Sequence, residues 1–141
     1  MHNLRECLFR RIWLLSIGFV LVGGMSPTSA QPLQEVKVTI EGYTFQTTQM
    51  PLQLDTETVI YITNKDTVRH DFGSDMFVNT LTHVESKGVV TYGKGVEGVY
   101  IEPGQEASIR LMLNHSGRFQ FQCSIHKEMK GEILLLTVDA V

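Results

Sequence analysis

Cysteine is nearly missing from this chain. Of 141 residues only Cys7 and Cys123 carry a thiol, and Cys7 falls in an N-terminal stretch that reads as a removable leader. The thiol that remains cannot close an internal disulfide, which separates the chain from small exported domains held by covalent staples. It is left to be a buried apolar filler, a reactive group or a metal ligand. Tryptophan is confined to Trp13 in the same stretch, and the longest apolar run, residues 12–22, is too short for a comfortable bilayer span. A surplus of positive charge is missing too. The formal net charge is −3, which argues against a nucleic-acid partner. Internal repeats, low-complexity tracts and long helical periodicity are all lacking.

The leader has the three parts of an export signal. Arg5, Arg10 and Arg11 make a positive beginning, residues 12–22 an apolar core, and residues 25–30 a small, polar end with Thr28-Ser29-Ala30 as the cleavage site. Residues 1–30 are therefore expected to be a signal peptide and residues 31–141 one domain, periplasmic or secreted, with no membrane span in the mature chain. No cysteine stands at the cleavage site to be lipidated. The leader takes three of the twelve Lys and Arg and one of the fifteen Asp and Glu. Nine basic and fourteen acidic residues remain, for a formal charge of −5.

The mature stretch reads as all-β. Val36, Val38 and Ile40 alternate within residues 35–46, a strand in which Gly42 is a bulge or bend. Residues 50–54 form a short second run, and residues 58–64 are β-branched and aromatic, as in a well-buried strand. Residues 89–92 and Gly98–Ile101 are short strands separated by Gly93 and Gly95, and Pro103-Gly104 has the chemistry of a type II turn. Ile109, Leu111 and Leu113 share a face of residues 107–113, a turn follows at 114–117, and residues 132–138 close the chain as a run apolar on both faces. Residues 74–87 read as irregular, with Met76, Phe77 and Leu81 in a helical turn, inside a long 73–98 segment. Many short strands at regular spacing predict a Greek-key β-sandwich.

Chemistry concentrates at one place. Phe119, Phe121 and Cys123 alternate with Gln120 and Gln122, the alternation stops at Cys123, and His126 and Met129 follow at successive steps of three. In a tight turn-like loop such steps return side chains to one side, so thiolate, imidazole and thioether can converge. That mixed, soft trio suits copper, and one further imidazole would complete a His2Cys site with a weak axial Met. The mature chain offers His70, His83 and His115 for that place. His115 sits in a turn beside Ser116 and Gly117, and His83 lies in the irregular stretch.

Cys123-x-x-His126-x-x-Met129, followed by Lys130-Gly131-Glu132-Ile133, resembles the copper loop of the cupredoxins, with the short spacing on both sides of the histidine most similar to amicyanin. The segment Asn64-Lys-Asp-Thr-Val-Arg-His70-Asp71-Phe72 resembles the one carrying the first copper histidine in plastocyanin and amicyanin. The resemblance implies His70, Cys123 and His126 as equatorial ligands and Met129 as the axial one, around one mononuclear type 1 copper. It also implies that Ser124 supplies a bond between the two ligand segments. Asp71 replaces the Asn usual after the first histidine, and its charge, if buried, favours copper(II). Ile125 stands where Pro is common.

The function so implied is transfer of single electrons between exported redox partner proteins, with no enzymatic activity. Copper delivery or storage is the alternative, but Met50, Met76, Met112 and Met129 are scattered rather than clustered. A red-copper variant would take a carboxylate from Glu128 or Asp71. Multicopper oxidases need a His-Cys-His run, and Gln122 and Ser124 flank the cysteine instead. Lys127 and Lys130 flank His126 on an otherwise acidic chain, so an acidic rim is expected on a docking partner.

Overall fold

The computed structural model describes residues 33–48 and 52–135, and the expected signal peptide lies outside them. Among the described residues, ten strands and a single 3-10 turn follow one another: β1 Gln34–Glu41, β2 Thr44–Thr47, β3 Glu57–Asn64, β4 His70–Ser74, the turn Asp75–Phe77, β5 Leu81–Ser86, β6 Val89–Lys94, β7 Gly98–Ile101, β8 Glu106–Met112, β9 Gly117–Gln122 and β10 Lys130–Leu135. They form a six-stranded sheet in the order β2-β1-β3-β8-β5-β6 and a four-stranded sheet in the order β10-β9-β4-β7. All named pairs are antiparallel except β1 with β3, which run parallel with Val38 opposite Ile62. This is the expected all-β sandwich.

The inner faces are those that alternation marks. Val36, Val38 and Ile40 of β1, Ile60 and Ile62 of β3, Ile109 and Leu111 of β8, and Phe119 and Phe121 of β9 are all buried in one core. Its centre is aromatic. Phe121 lies 5.2 Å from both Phe45 and Phe72, centroid to centroid, and Phe72 lies 6.2 Å from Phe77. Edge-on and tilted rings at such spacings stabilise a core beyond the area they bury.

Three local expectations are corrected. Residues 35–46 are two strands rather than one bent strand. Gly42 and Tyr43, at φ of 60° and 57°, make a two-residue hairpin turn with Glu41 opposite Thr44. Both central positions need the left-handed region in a turn of this kind. Within residues 50–54, Met50 and Pro51 lie outside the described residues, and Leu52 makes only an isolated parallel bridge to Leu135. Residues 74–87 are not irregular: after the 3-10 turn, β5 joins β8 and returns through Lys87-Gly88 into β6. Its first two positions invert the usual pattern, which returns at the buried Val84 and exposed Glu85. Leu81 faces outward at 62% exposure while Thr82 is fully buried, its hydroxyl donating to the Gly93 carbonyl at 3.1 Å.

One pairing positions everything that follows. β4 and β9 are hydrogen-bonded only at Gly73↔Gln122 and Ser74↔Phe121. Continuing that register sets Asp71 opposite Ser124 at the open end, and there side chains take over from the ladder.

Candidate metal centre

His70 is delivered by a loop that a buried amide organises. Asn64 ends β3 with no exposure, and its Nδ2 donates to the carbonyls of Val68 and Ile101 at 2.8 and 2.9 Å. Its Oδ1 accepts from the Asp66 N–H at 3.0 Å, and its backbone N–H and C=O bond Gln105 and Gly104. A buried amide so fully satisfied has one orientation, which fixes residues 65–69 and therefore the entry of His70 into β4.

The 123–129 loop is closed at its base. The Cys123 N–H donates to the Met129 carbonyl at 3.0 Å and the Met129 N–H to the His126 carbonyl at 2.9 Å. Two steps of three thus bring the chain back on itself, with Cys123 and Met129 buried and His126 half-buried. The Cys123 Sγ lies 3.6 Å from Nδ1 of His126 and 3.9 Å from Nδ1 of His70, and the three donor atoms all fall within 4.8 Å of one another. A metal about 2.0–2.3 Å from nitrogen and sulfur donors in a tetrahedral arrangement needs them roughly 3.3–3.8 Å apart. The observed spacing suits such an ion after small adjustment, and a thiol with two imidazoles is a donor set matched to copper.

Two carboxylates brace the donors. Asp71 Oδ1 accepts from the Ser124 backbone N–H at 2.6 Å, and the Asp71 N–H points at Cys123 Sγ at 3.5 Å. The link between the ligand segments therefore exists, but the Ser124 amide makes it, with the buried Asp71 as acceptor. Burial pushes the Cys123 thiol up, against a smaller opposing pull from the Asp71 N–H. Asp66 accepts from the Gly42 N–H at 2.7 Å and the Tyr43 N–H at 3.0 Å, and its Oδ2 lies 2.9 Å from His70 Nε2. The Tyr43 amide above all, with that of Gly42 and the neighbouring His70, outweighs burial and holds the Asp66 carboxyl below its usual range.

The ring of Tyr43 stands edge-on to both imidazoles, 5.5 Å from His70 and 5.0 Å from His126. Its left-handed backbone costs on the order of 1–3 kcal/mol for a non-glycine residue, an amount the two hydrogen bonds from the turn to Asp66 can offset.

The structure thus brings together His70, Cys123 and His126, and sets Met129 at the loop base with its side chain buried. His83 is on β5 opposite Tyr92 and Arg110, and His115 is exposed against Phe119; neither joins the cluster. Among the described residues no carboxylate joins it either. Asp66 and Tyr43 escape sequence reasoning. The available signal is an Asp in a polar turn four residues ahead of a histidine, but nothing local ties Tyr43 to it.

A family model for the cupredoxin-like domain matches residues 14–135, beginning inside the stretch read as a leader although the first described strand starts at Gln34. No curated sequence matches. Similar solved structures include a multicopper oxidase from Campylobacter jejuni, titled a metallo-oxidase, with TM-score 0.52 and 14% identity over 79% of this chain and 32% of that one. Another is a multicopper oxidase from Pediococcus acidilactici, with TM-score 0.57 and 12% identity over 83% and 29%. A mutant of amicyanin aligns with TM-score 0.46 and 13% identity over 71% and 80%. The chain spans about a third of the length of those oxidases, and the likeness to them is one of fold.

Proposed function

The chain belongs to the cupredoxin-like family, and from that premise we propose that it is an exported electron carrier holding one copper through His70, Cys123, His126 and Met129. The observation that carries this reading is the convergence of a buried thiol and two imidazole nitrogens within 4.8 Å at the open end of the β4–β9 pair. Copper in such surroundings exchanges single electrons between its cuprous and cupric states. Cys123 supplies the soft anionic donor once its proton has left. His70 and His126 present their Nδ1 atoms toward it. Met129, buried where the loop closes, would supply a weak thioether donor, and among the described residues no carboxylate competes within the cluster.

What the protein adds is stiffness. The Asn64 amide, the Ser124–Asp71 bond and the closed 123–129 loop hold the donors on two packed sheets, so a change of charge at the centre displaces little. His70 is fully buried whereas His126 is half-buried, so electrons are expected to enter and leave along the His126 side. Lys127, next to His126 in the chain, and Lys130 are exposed, and with Gln122, Cys123 and Ser124 they line a cleft of about 310 Å³. A partner with an acidic rim fits that face. Export rests on the basic, apolar and small-residue order of residues 1–30. No helix among the described residues is long and apolar enough to cross a membrane.

The likeness to multicopper oxidases raises an enzymatic reading, but Gln122 and Ser124 stand on either side of Cys123, where coupling to a further copper cluster needs histidines. A carrier is the simpler account. The test is to add copper(II) to residues 31–141 and record the visible spectrum. One equivalent is expected to give an intense thiolate-to-copper band that Cys123→Ser abolishes. A band that survives in Cys123→Ser would overturn the reading.

A further inference from the structure

We propose that Asp66 is a positioning residue for the metal site: one carboxylate fixes which nitrogen of His70 is free to bind and holds the turn whose Tyr43 ring packs against both histidines. The inference rests on the copper reading above, but its geometry is independent of any metal. Oδ2 alone meets two nitrogens, the Tyr43 N–H at 3.0 Å and His70 Nε2 at 2.9 Å, while Oδ1 takes the Gly42 N–H at 2.7 Å. The Asp66 side chain is 12% exposed and that of His70 not at all, so water scarcely competes for the contact.

The chemistry follows from what each group can do. An ionised carboxylate only accepts, so the proton between Asp66 and His70 belongs to Nε2, and the neutral ring then carries a lone pair on Nδ1. That is the atom 3.9 Å from Cys123 Sγ. The ring is therefore held in its ligand-ready tautomer before any metal arrives. The negative charge behind it makes the imidazole a stronger donor, which favours the more highly charged metal state. Tyr43 completes the arrangement. Its left-handed backbone is secured by the same oxygen, and its half-exposed ring packs roughly perpendicular to the rings of His70 and His126 at 5.5 and 5.0 Å. The orientation of His70 and the turn that carries the Tyr43 ring thus share one anchor.

The test uses the native protein, Asp66→Asn and Asp66→Glu. In the metal-free native protein, long-range nitrogen–proton NMR of the His70 ring should show the proton on Nε2. Asn at position 66 can still accept from the Gly42 amide through its oxygen, but its NH₂ then stands where Oδ2 met both the Tyr43 N–H and the ring, so it loses the Tyr43 bond and drives the ring proton to Nδ1, reversing the tautomer. On copper loading, the ratio of copper(II) to copper(I) affinity should fall about tenfold in Asp66→Asn, which for a one-electron couple is a rise of ~59 mV in potential. Amide exchange at Gly42 and Tyr43 should quicken in that variant, and Asp66→Glu should restore both the tautomer and most of the potential. A native His70 protonated on Nδ1 would overturn the proposal. So would a folded Asp66→Asn with unchanged tautomer and potential, since Asp66 would then only brace the turn. Should Asp66→Asn fail to fold, the native tautomer and the Asp66→Glu potential decide. Absence of a thiolate band in the native protein would instead sink the copper reading, and the metal-free tautomer would still settle the role of Asp66.

Discussion

The Ser124 N–H donates to Oδ1 of Asp71 across 2.6 Å, and this one bond ties the chain segment carrying His70 to the segment carrying Cys123 and His126. It stands where the β4–β9 ladder has ended, and Asp71 also turns its own N–H to the Cys123 sulfur at 3.5 Å. A residue so placed acts on the site through position and through charge, and substitution can separate the two.

Asp71→Asn keeps an oxygen for the Ser124 amide and removes the charge. The reduction potential of the copper protein should rise while the denaturation midpoint changes little. Asp71→Ala removes the acceptor as well, leaves a part-buried amide without its partner and should cost about 1–3 kcal/mol. Voltammetry and urea denaturation of both variants check this, and equal potentials in native and Asn proteins would count against the charge effect.

The axial donor is tested by neighbours. Met129 is buried at the loop base and Glu128 is exposed. Met129→Gln exchanges a weak thioether for an oxygen donor, so the potential should fall and the visible spectrum shift. Glu128→Gln should do neither. Changes in the second variant and none in the first would mean a carboxylate caps the metal.

Copper uptake should depend on pH with a defined sign. Burial pushes the Cys123 thiol up, so the metal-free protein holds that proton at neutral pH and must release it when the sulfur becomes a ligand. Between pH 7 and 8, with one thiol proton released on binding, copper(II) affinity should rise by about tenfold. A competition titration at both values measures this, and an affinity that is flat over the interval would show that no thiol proton leaves.

Gly131 offers a test of packing beside the site. It lies opposite Phe121 in the β9–β10 ladder, and a Cβ placed there would sit within the Phe121 ring itself. That ring is buried against Phe45 and Phe72 and has nowhere to go. Gly131→Ala should therefore destabilise the fold by roughly 1–3 kcal/mol through overpacking. An unchanged melting temperature would mean the core yields more readily than its packing suggests.

How much of this is legible in the sequence depends on how local each cause is. The Cys123 loop reads well because strand alternation and steps of three are short-range patterns, and the hydrogen bonds from Cys123 to Met129 and from Met129 to His126 express the same geometry. The inner faces of β1, β8 and β9 read well for the same reason. β5 does not. It opens with an exposed leucine and a buried threonine satisfied by the Gly93 carbonyl, so only Val84 and Glu85 keep the usual sign of the pattern. The Gly42–Tyr43 turn hides because a tyrosine at positive φ is not a turn signal. The Asp66 contacts with Gly42 and Tyr43 span more than twenty residues and exist only once β1 and β3 lie side by side.

That β4–β9 pairing also dictates an order of events. His126 is three residues from Cys123, whereas His70 is 53 away and meets it only when distant strands have joined. Sandwiches dominated by such pairings fold in milliseconds to seconds, far more slowly than a short loop can close. A chain emerging beside free copper therefore exposes a grasping half-site, Cys123 with His126, well before the other half arrives. Loading after folding meets a complete cage, while loading before it gives the ion time to be held by the wrong company.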